Sequence, residues 1–278
     1  MTSELLKNYD KVEKDIRQLY DSRLRLSILD ALKDGPMPLS DLRRAVDANA
    51  PNTSAKAKDL EEMGLLERVG GQYKLTPYGL HTLNGLSDSL AFHSTYNKFK
   101  DFWSTRRLDS IPKELWRRLG DLRDATLLKT DNTNVSAVHD RFVEFLNSLE
   151  GRFYGLSPIY HDEYVSALFN NLRKGLDTKL VLTSDILGEL VGKLKTMDLS
   201  PEILGTLQKA EIYEYANPMT IALTVSVDET FIGFQKKDRS WIADFGLYAE
   251  DAKSVRWAYD LFEYHRSRSK KINLSDYL

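Results

Sequence analysis

The chain has no cysteine, no excess of either charge and no long apolar run. Without cysteine, disulfides, thiolate metal sites and cysteine nucleophiles are all excluded. No segment approaches the roughly 20 consecutive apolar residues that a membrane-crossing helix needs. The first residues also lack the basic-then-apolar pattern of an export signal, so a cytoplasmic location and no membrane partner are expected. A mean hydropathy of -0.42 fits a soluble globular chain. The 39 Lys and Arg face 41 Asp and Glu, a net charge of -2. DNA binding, if present, must then come from a local patch, because wholesale phosphate neutralisation leaves a domain basic. No GxSxG elbow, Walker loop or GxGxxG fingerprint occurs.

What is present divides the 278 residues into an α+β chain, an N-terminal winged helix-turn-helix followed by a C-terminal α/β sheet domain. Residues 1–21 form a helix whose Leu5, Tyr9, Val12, Ile16 and Leu19 alternate spacings of four and three. That pattern is one narrow apolar seam, which needs a partner helix from this chain or from a second copy. Residues 22–80 are the winged segment. Leu24, Ile28, Leu29 and Leu32 line a first helix that stops at Asp34-Gly35-Pro36, where glycine supplies the turn and proline forbids continuation. Leu42, Ala45 and Val46 line a second helix with Ser40 as its expected N-cap. Ala57, Leu60 and Met63 line a third, opened by Ala50-Pro51-Asn52-Thr53. Leu65–Val69 and Gln72–Leu75 are strands on either side of the Gly70-Gly71 turn.

Residues 81–104 read as a helical linker, started by Thr76-Pro77, and residues 105–278 as an effector-sensing or dimerisation domain. Short buried strands are expected at Ala125–Thr130, Arg152–Leu156 and Lys179–Thr183, with helices at Val135–Leu149 and Glu163–Lys174 between them. Helical patterns follow at Asp185–Met197 and over 201–209. Glu211–Tyr215, Ile221–Val227 and Phe231–Gln235 are expected as added antiparallel strands, and an amphipathic helix from Asp251 to about Ser267 closes the chain.

The third helix of the winged segment is where this motif enters the major groove. With Ala57, Leu60 and Met63 inward, Thr53, Ser54, Lys56 and Lys58 are expected to project outward, able to reach base edges or phosphates. Arg43 and Arg44 on the second helix, with Arg68, Gln72 and Lys74 around the wing, complete the expected DNA contacts. The bland alternative is a solvated polar face, or a winged helix that binds protein. In the second half, strand ends of an α/β sheet are where ligands collect. Ser157, Tyr160, His161, Thr183, Ser184 and Asn217 are therefore the candidate effector ligands. A phosphodiester hydrolase of the phospholipase D type would need a histidine with a lysine two residues on. None of the five histidines has one; the nearest imitation is His139-Asp140-Arg141, within a helical pattern, and His161-Asp162-Glu163 reads as a helix cap or turn.

The segment from Thr53 to Leu66 resembles the recognition helix and entry strand of archaeal and bacterial ArsR/TrmB-type regulators. Trp103, Ile111-Pro112, Tyr154-Gly155-Leu156-Ser157-Pro158, Leu182-Thr183 and Trp257-Ala258-Tyr259-Asp260-Leu261-Phe262-Glu263-Tyr264 resemble the C-terminal domain of archaeal regulators of the methanogenesis and filamentation type. The resemblance implies a homodimeric transcription regulator, not an enzyme, with double-stranded DNA as partner. It also implies a C-terminal domain, related to a phospholipase-D-like sheet without its active site, that senses a small-molecule effector or dimerises. The metal-coordinating cysteines or histidine pairs of metal-sensing ArsR proteins are missing, so neither metal sensing nor any cofactor is carried over. An inverted-repeat operator, with the two third helices about 34 Å apart, is the matching expectation.

Overall fold

The structure, a computed structural model, describes residues 3–130, 133–197, 205, 207–241 and 244–277. It divides into two compact units, residues 1–90 and 91–278.

The first unit opens with α1 (Glu4–Tyr20), whose N-cap Ser3 accepts a bond from the Leu6 amide. Then come α2 (Arg23–Ala31), β1 (Met37–Pro38), α3 (Leu39–Ala45), α4 (Ala50–Glu62) and the hairpin β2 (Leu66–Val69) and β3 (Gln72–Leu75). Each start has a local cause. Ser22 caps α2 and the Asn49 side chain accepts from the Asn52 amide to cap α4, with Pro51 in the first turn where no N–H is needed. Ser40 does not cap α3 as expected: the helix begins directly after Pro38, and the Ser40 hydroxyl, already inside it, donates to Asp41. Gly70 and Gly71 both have positive φ, 59° and 82°, the mirror-image turn whose twist matches the strands it joins. The short β1, which pairs Met37 with Tyr73, adds a third strand. Two residues, one of them proline, carry no period from which to expect it.

Ile28, Leu29, Leu42, Ala57, Leu60, Leu65 and Tyr73 make one buried cluster, joined by Leu19 from the end of α1. Full burial of such a side chain stabilises by roughly 1.5 to 3 kcal/mol. The other seam residues of α1 stay exposed: Leu5, Tyr9, Val12 and Ile16. The helix α5 (Pro77–Lys98) starts at Thr76, whose hydroxyl accepts from the Gly79 amide. A Cβ at Gly79 would lie 2.0 Å from the Leu65 carbonyl oxygen, so glycine is required there.

The second unit is built on an eight-stranded sheet with α6 (Lys100–Thr105), α7 (Lys113–Arg117), α8 (Ala137–Ser148), α9 (Asp162–Arg173), α10 (Ser184–Thr196) and α11 (Ala252–Arg266) on its faces. Its strands are β4 (Thr126–Lys129), β5 (Arg152–Ser157), β6 (Asp177–Thr183), β7 (Glu211–Tyr215), β8 (Ile221–Val225), β9 (Thr230–Phe234), β10 (Phe245–Ala249) and β11 (Lys270–Ile272). The order across the sheet is β11-β7-β6-β5-β8-β9-β10-β4. Strands β5, β6 and β7 run parallel and every other pairing is antiparallel.

Two expectations need correction, and two strands are additional. β7 is parallel to β6, not antiparallel, because the intervening α10 returns the chain to the starting end of the sheet. β4 is a half-exposed edge strand on β10, not a buried strand as expected. β10 and β11 were not anticipated: the first is divided by Gly246 and the second is three residues with two lysines, so neither shows a strand pattern. Most of the helix expected over 201–209 lies outside the described residues.

Alternation along the strands assigns each face its layer. Tyr154, Leu156, Val181, Tyr213, Leu223, Ile232 and Phe234 face a layer that includes α11, where Trp257, Ala258, Leu261 and Phe262 are fully buried. Phe153, Leu180, Leu182, Ile212 and Phe231 face α8, α9 and α10.

Candidate nucleic-acid interface and effector pocket

In α4 the buried positions are Thr53, Ala57 and Leu60, spaced by four and three along one helical stripe. The expectation that Thr53 projects outward is therefore corrected: it is 0 % exposed and its hydroxyl donates to the Asn49 carbonyl oxygen at 2.9 Å. The opposite stripe carries Pro51, Asn52, Ala55, Lys58 and Glu62, all exposed. Asn52 and Ala55 did not figure among the expected contacts, although the same period, counted outward from Ala57, marks them.

The expected cations around this face are mostly held by acids of their own domain. Lys56 lies 3.3 Å from Asp59, which also takes Arg25 of α2. Lys58 is 3.8 Å from Glu62, Lys74 is 3.0 Å from Glu67 across the hairpin, and Arg44 is 2.6 Å from Asp41. Arg43 and Gln72 are exposed, Ser54 is half-buried, and the Arg68 guanidinium lies 5.3 Å from the centre of the Tyr73 ring. Exposed pairs such as these contribute little to stability, about 0 to 1 kcal/mol, and open readily. The Asp59 carboxyl is held below the ordinary range first by the hydrogen bond from Arg25 and then by Lys56.

The second unit contains a cavity of about 260 Å³ between the sheet and the helices α8, α9 and α10. Its floor is made by small residues on adjacent strands: Gly155, Ala222 and Gly233. The ladder sets Ala222 opposite Gly233, with Gly155 beside them opposite Thr224. A Cβ at Gly233 would touch only the Ala222 Cβ, at 3.9 Å, so the space above it is open. The walls are apolar, with Phe142, Leu168, Leu190 and Phe231 among them, and His139, Ser157, Tyr160, His161 and Tyr164 supply the polar groups. An apolar hollow with a few converging polar groups is the usual form of a small-molecule site.

Of the expected effector ligands, the structure brings Ser157, Tyr160 and His161 to this cavity. The Ser157 hydroxyl donates to the Ile159 carbonyl and the Tyr160 hydroxyl to Asp162. His161 caps α9, its Nδ1 accepting from the Glu163 amide. Thr183, Ser184 and Asn217 do not belong to the lining. Ser184 donates to Glu214 at 2.7 Å and Asn217 is exposed after β7. The hollow lies where the floor residues are small, over β5, β8 and β9, not along every strand end. His139 and Tyr164 were missed as lining residues because they come from helices, and glycine within a strand was the available sign of the floor.

Comparison with known proteins agrees with this organisation. Residues 13–90 match the N-terminal domain, and residues 135–268 the middle domain, of the methanogenesis regulatory protein FilR1. The methanogenesis regulatory protein FilR1 of Methanothrix harundinacea (strain 6Ac) is 26% identical over 270 residues. The alignment takes in 95% of this chain but 59% of that protein, so the chain spans about three fifths of its relative's length. Among solved structures, TrmBL2, described as an archaeal chromatin protein with a novel mode of DNA binding, is 12% identical and aligns over 95% of this chain and 99% of its own, with a TM-score of 0.41. Nuc from Salmonella typhimurium, a phospholipase D family member, is 9% identical over 54% of this chain and 99% of its own, with a TM-score of 0.39. With both of its matched domains in the same order, the chain belongs to the FilR1 family.

Proposed function

We propose that the chain is a DNA-binding transcription regulator of the cytoplasm that recognises an inverted repeat as a homodimer and responds to a small apolar effector. The observation that carries this reading is the exposed outward stripe of α4, Pro51 to Glu62, on a winged domain whose hairpin presents Arg68 and Gln72. A helix end of this kind offers a positive dipole to a phosphate while its next turn meets base edges. The family's regulatory description supports it. The apolar seam left open on α1 supports pairing of two copies, which would space two α4 helices on one face of the duplex. The cavity over Gly233 supports an effector of mainly apolar character. Coupling of about 1 to 3 kcal/mol between cavity and operator suffices for control. In this reading the C-terminal sheet senses and does not catalyse.

Selection of genomic fragments bound by the purified protein, repeated across salt concentrations, tests the reading. A shared palindrome is the expected result, with affinity reduced about tenfold or more in Lys58→Ala combined with Arg68→Ala. Binding without sequence preference would refute the regulator reading. Unchanged DNA affinity in that double variant would favour a winged helix used for protein contacts.

A further inference from the structure

His139 and His161 are 22 residues apart in the chain, yet their rings stand 4.6 Å apart, centre to centre. Both meet the same carboxylate oxygen. The Oε2 atom of Glu163 is 2.6 Å from His139 Nε2 and 3.5 Å from His161 Nδ1. One ring nitrogen of each histidine and one Glu163 oxygen all lie within 4.8 Å of one another. A single proton bridges only one imidazole to that oxygen, and His161 Nδ1 otherwise accepts from the Glu163 amide at 3.3 Å, a bond that ligation through this nitrogen would replace. A divalent ion serves both at once. With bonds of about 2.1 Å, tetrahedral donors stand about 3.4 Å apart, so the 2.6 Å contact must open by under about 1 Å while the donors, all within 4.8 Å of one another, draw in around the ion.

The surroundings suit a metal ligand set. The other nitrogen of His139, Nδ1, meets the Tyr164 hydroxyl at 3.1 Å, the kind of outer contact that fixes a ligating imidazole's orientation and tautomer. His139, His161 and Tyr164 all line the cavity, which leaves room for a further donor. The ligands come from both α8 and the start of α9, so an ion would clamp the two helices that wall the hollow.

We propose that His139, His161 and Glu163 form a site for a divalent transition metal of the zinc class. Two imidazoles and one carboxylate suit Zn(II), Co(II) or Ni(II), whereas Mg(II) and Ca(II) prefer all-oxygen cages. Occupancy stiffens the α8–α9 wall, and the remaining coordination position faces water or a donor atom of whatever fills the hollow. The site stands whether or not the chain binds DNA.

The test is titration of the full chain with Co(II), read by its visible absorption, followed by displacement with Zn(II). One equivalent per chain is expected, with affinity lost at least tenfold in His139→Ala and in Glu163→Gln. His161→Asn, which keeps a good capping residue while removing the imidazole, is expected to lose as much. Tyr164→Phe is expected to weaken binding by about 10-fold to 100-fold through the outer contact. Variants that melt as the parent does make the comparison valid. The proposal is overturned if the parent gives no tetrahedral cobalt spectrum, if the three ligand variants bind as it does, or if binding is lost instead in His81→Ala with His93→Ala.

Discussion

Arg25 of the first winged helix and Asp59 of the third are ion-paired across the domain, and Lys56 shares the same carboxylate. The acid thus ties the recognition helix to its scaffold and at the same time holds back a cation from the expected DNA face. Asp59→Asn should release Lys56. If the chain binds DNA as proposed, affinity should rise several-fold and the salt slope steepen by about one, readable by fluorescence anisotropy at several salt concentrations. Stability should move the other way. Arg25, then Lys56, keeps the folded carboxyl below its ordinary value of 3.8. A depressed acid stabilises above its unfolded value and loses that contribution as pH falls through the folded one. The parent should accordingly lose stability below about pH 4 in a way that Asp59→Asn does not.

Two glycines should respond oppositely to an added methyl group. Gly233→Ala places its Cβ in open space and relieves the flexibility of a strand glycine, so a gain of about 0.5 kcal/mol is expected. Gly79→Ala drives its Cβ into the Leu65 carbonyl and should unfold the winged domain or cost several kcal/mol. Chemical denaturation of the two variants separates the cases. Gly233→Leu should also abolish uptake of an apolar fluorescent dye by the hollow while leaving the fold intact.

Arg106 is 2 % exposed, with its guanidinium 2.5 Å from Asp244 and stacked against Phe102 and Phe245. Asp244→Ala strands a buried cation and should cost about 3 to 5 kcal/mol, whereas Arg106→Met, which removes the charge and keeps the volume, should cost much less. Denaturant midpoints of the two variants are the measurement.

His265 is buried, and its Nε2 meets the Ser110 carbonyl oxygen at 2.9 Å. Burial pushes its folded value below the ordinary 6.5, although the Ser110 contact opposes the shift. A base depressed in the folded state contributes stability above its unfolded value and loses it as pH falls through the folded one. Thermal midpoints should therefore decline on acidification below about pH 6.5, and His265→Gln should flatten that slope.

Much of the first unit was legible in the chain because its signals are local. Gly70-Gly71 fixed the hairpin, and Pro51 with Asn49 fixed the start of α4. Thr53 escaped for a physical reason: a hydroxyl reads as polar, yet here it bonds its own helix backbone and is free to be buried beside Ala57. In the second unit the helices and the strands β5 and β6 were apparent from periodicity, but the parallel direction of β7 was not. Strand order was not, since the position of β4 beside β10 rests on pairings more than 100 residues apart. The site followed the same division. Ser157, Tyr160 and His161 lie near one strand end and were found together, whereas the approach of His139 to Glu163 depends on how α8 packs on α9, which no spacing records.

The hollow lies over the small residues Gly155, Ala222 and Gly233, and not over any gap in the ladder of β5, β8 and β9. Its size can consequently be reset by single substitutions that leave every interstrand bond in place. Descendants of this scaffold are free to trade one occupant for another while the architecture is inherited unchanged.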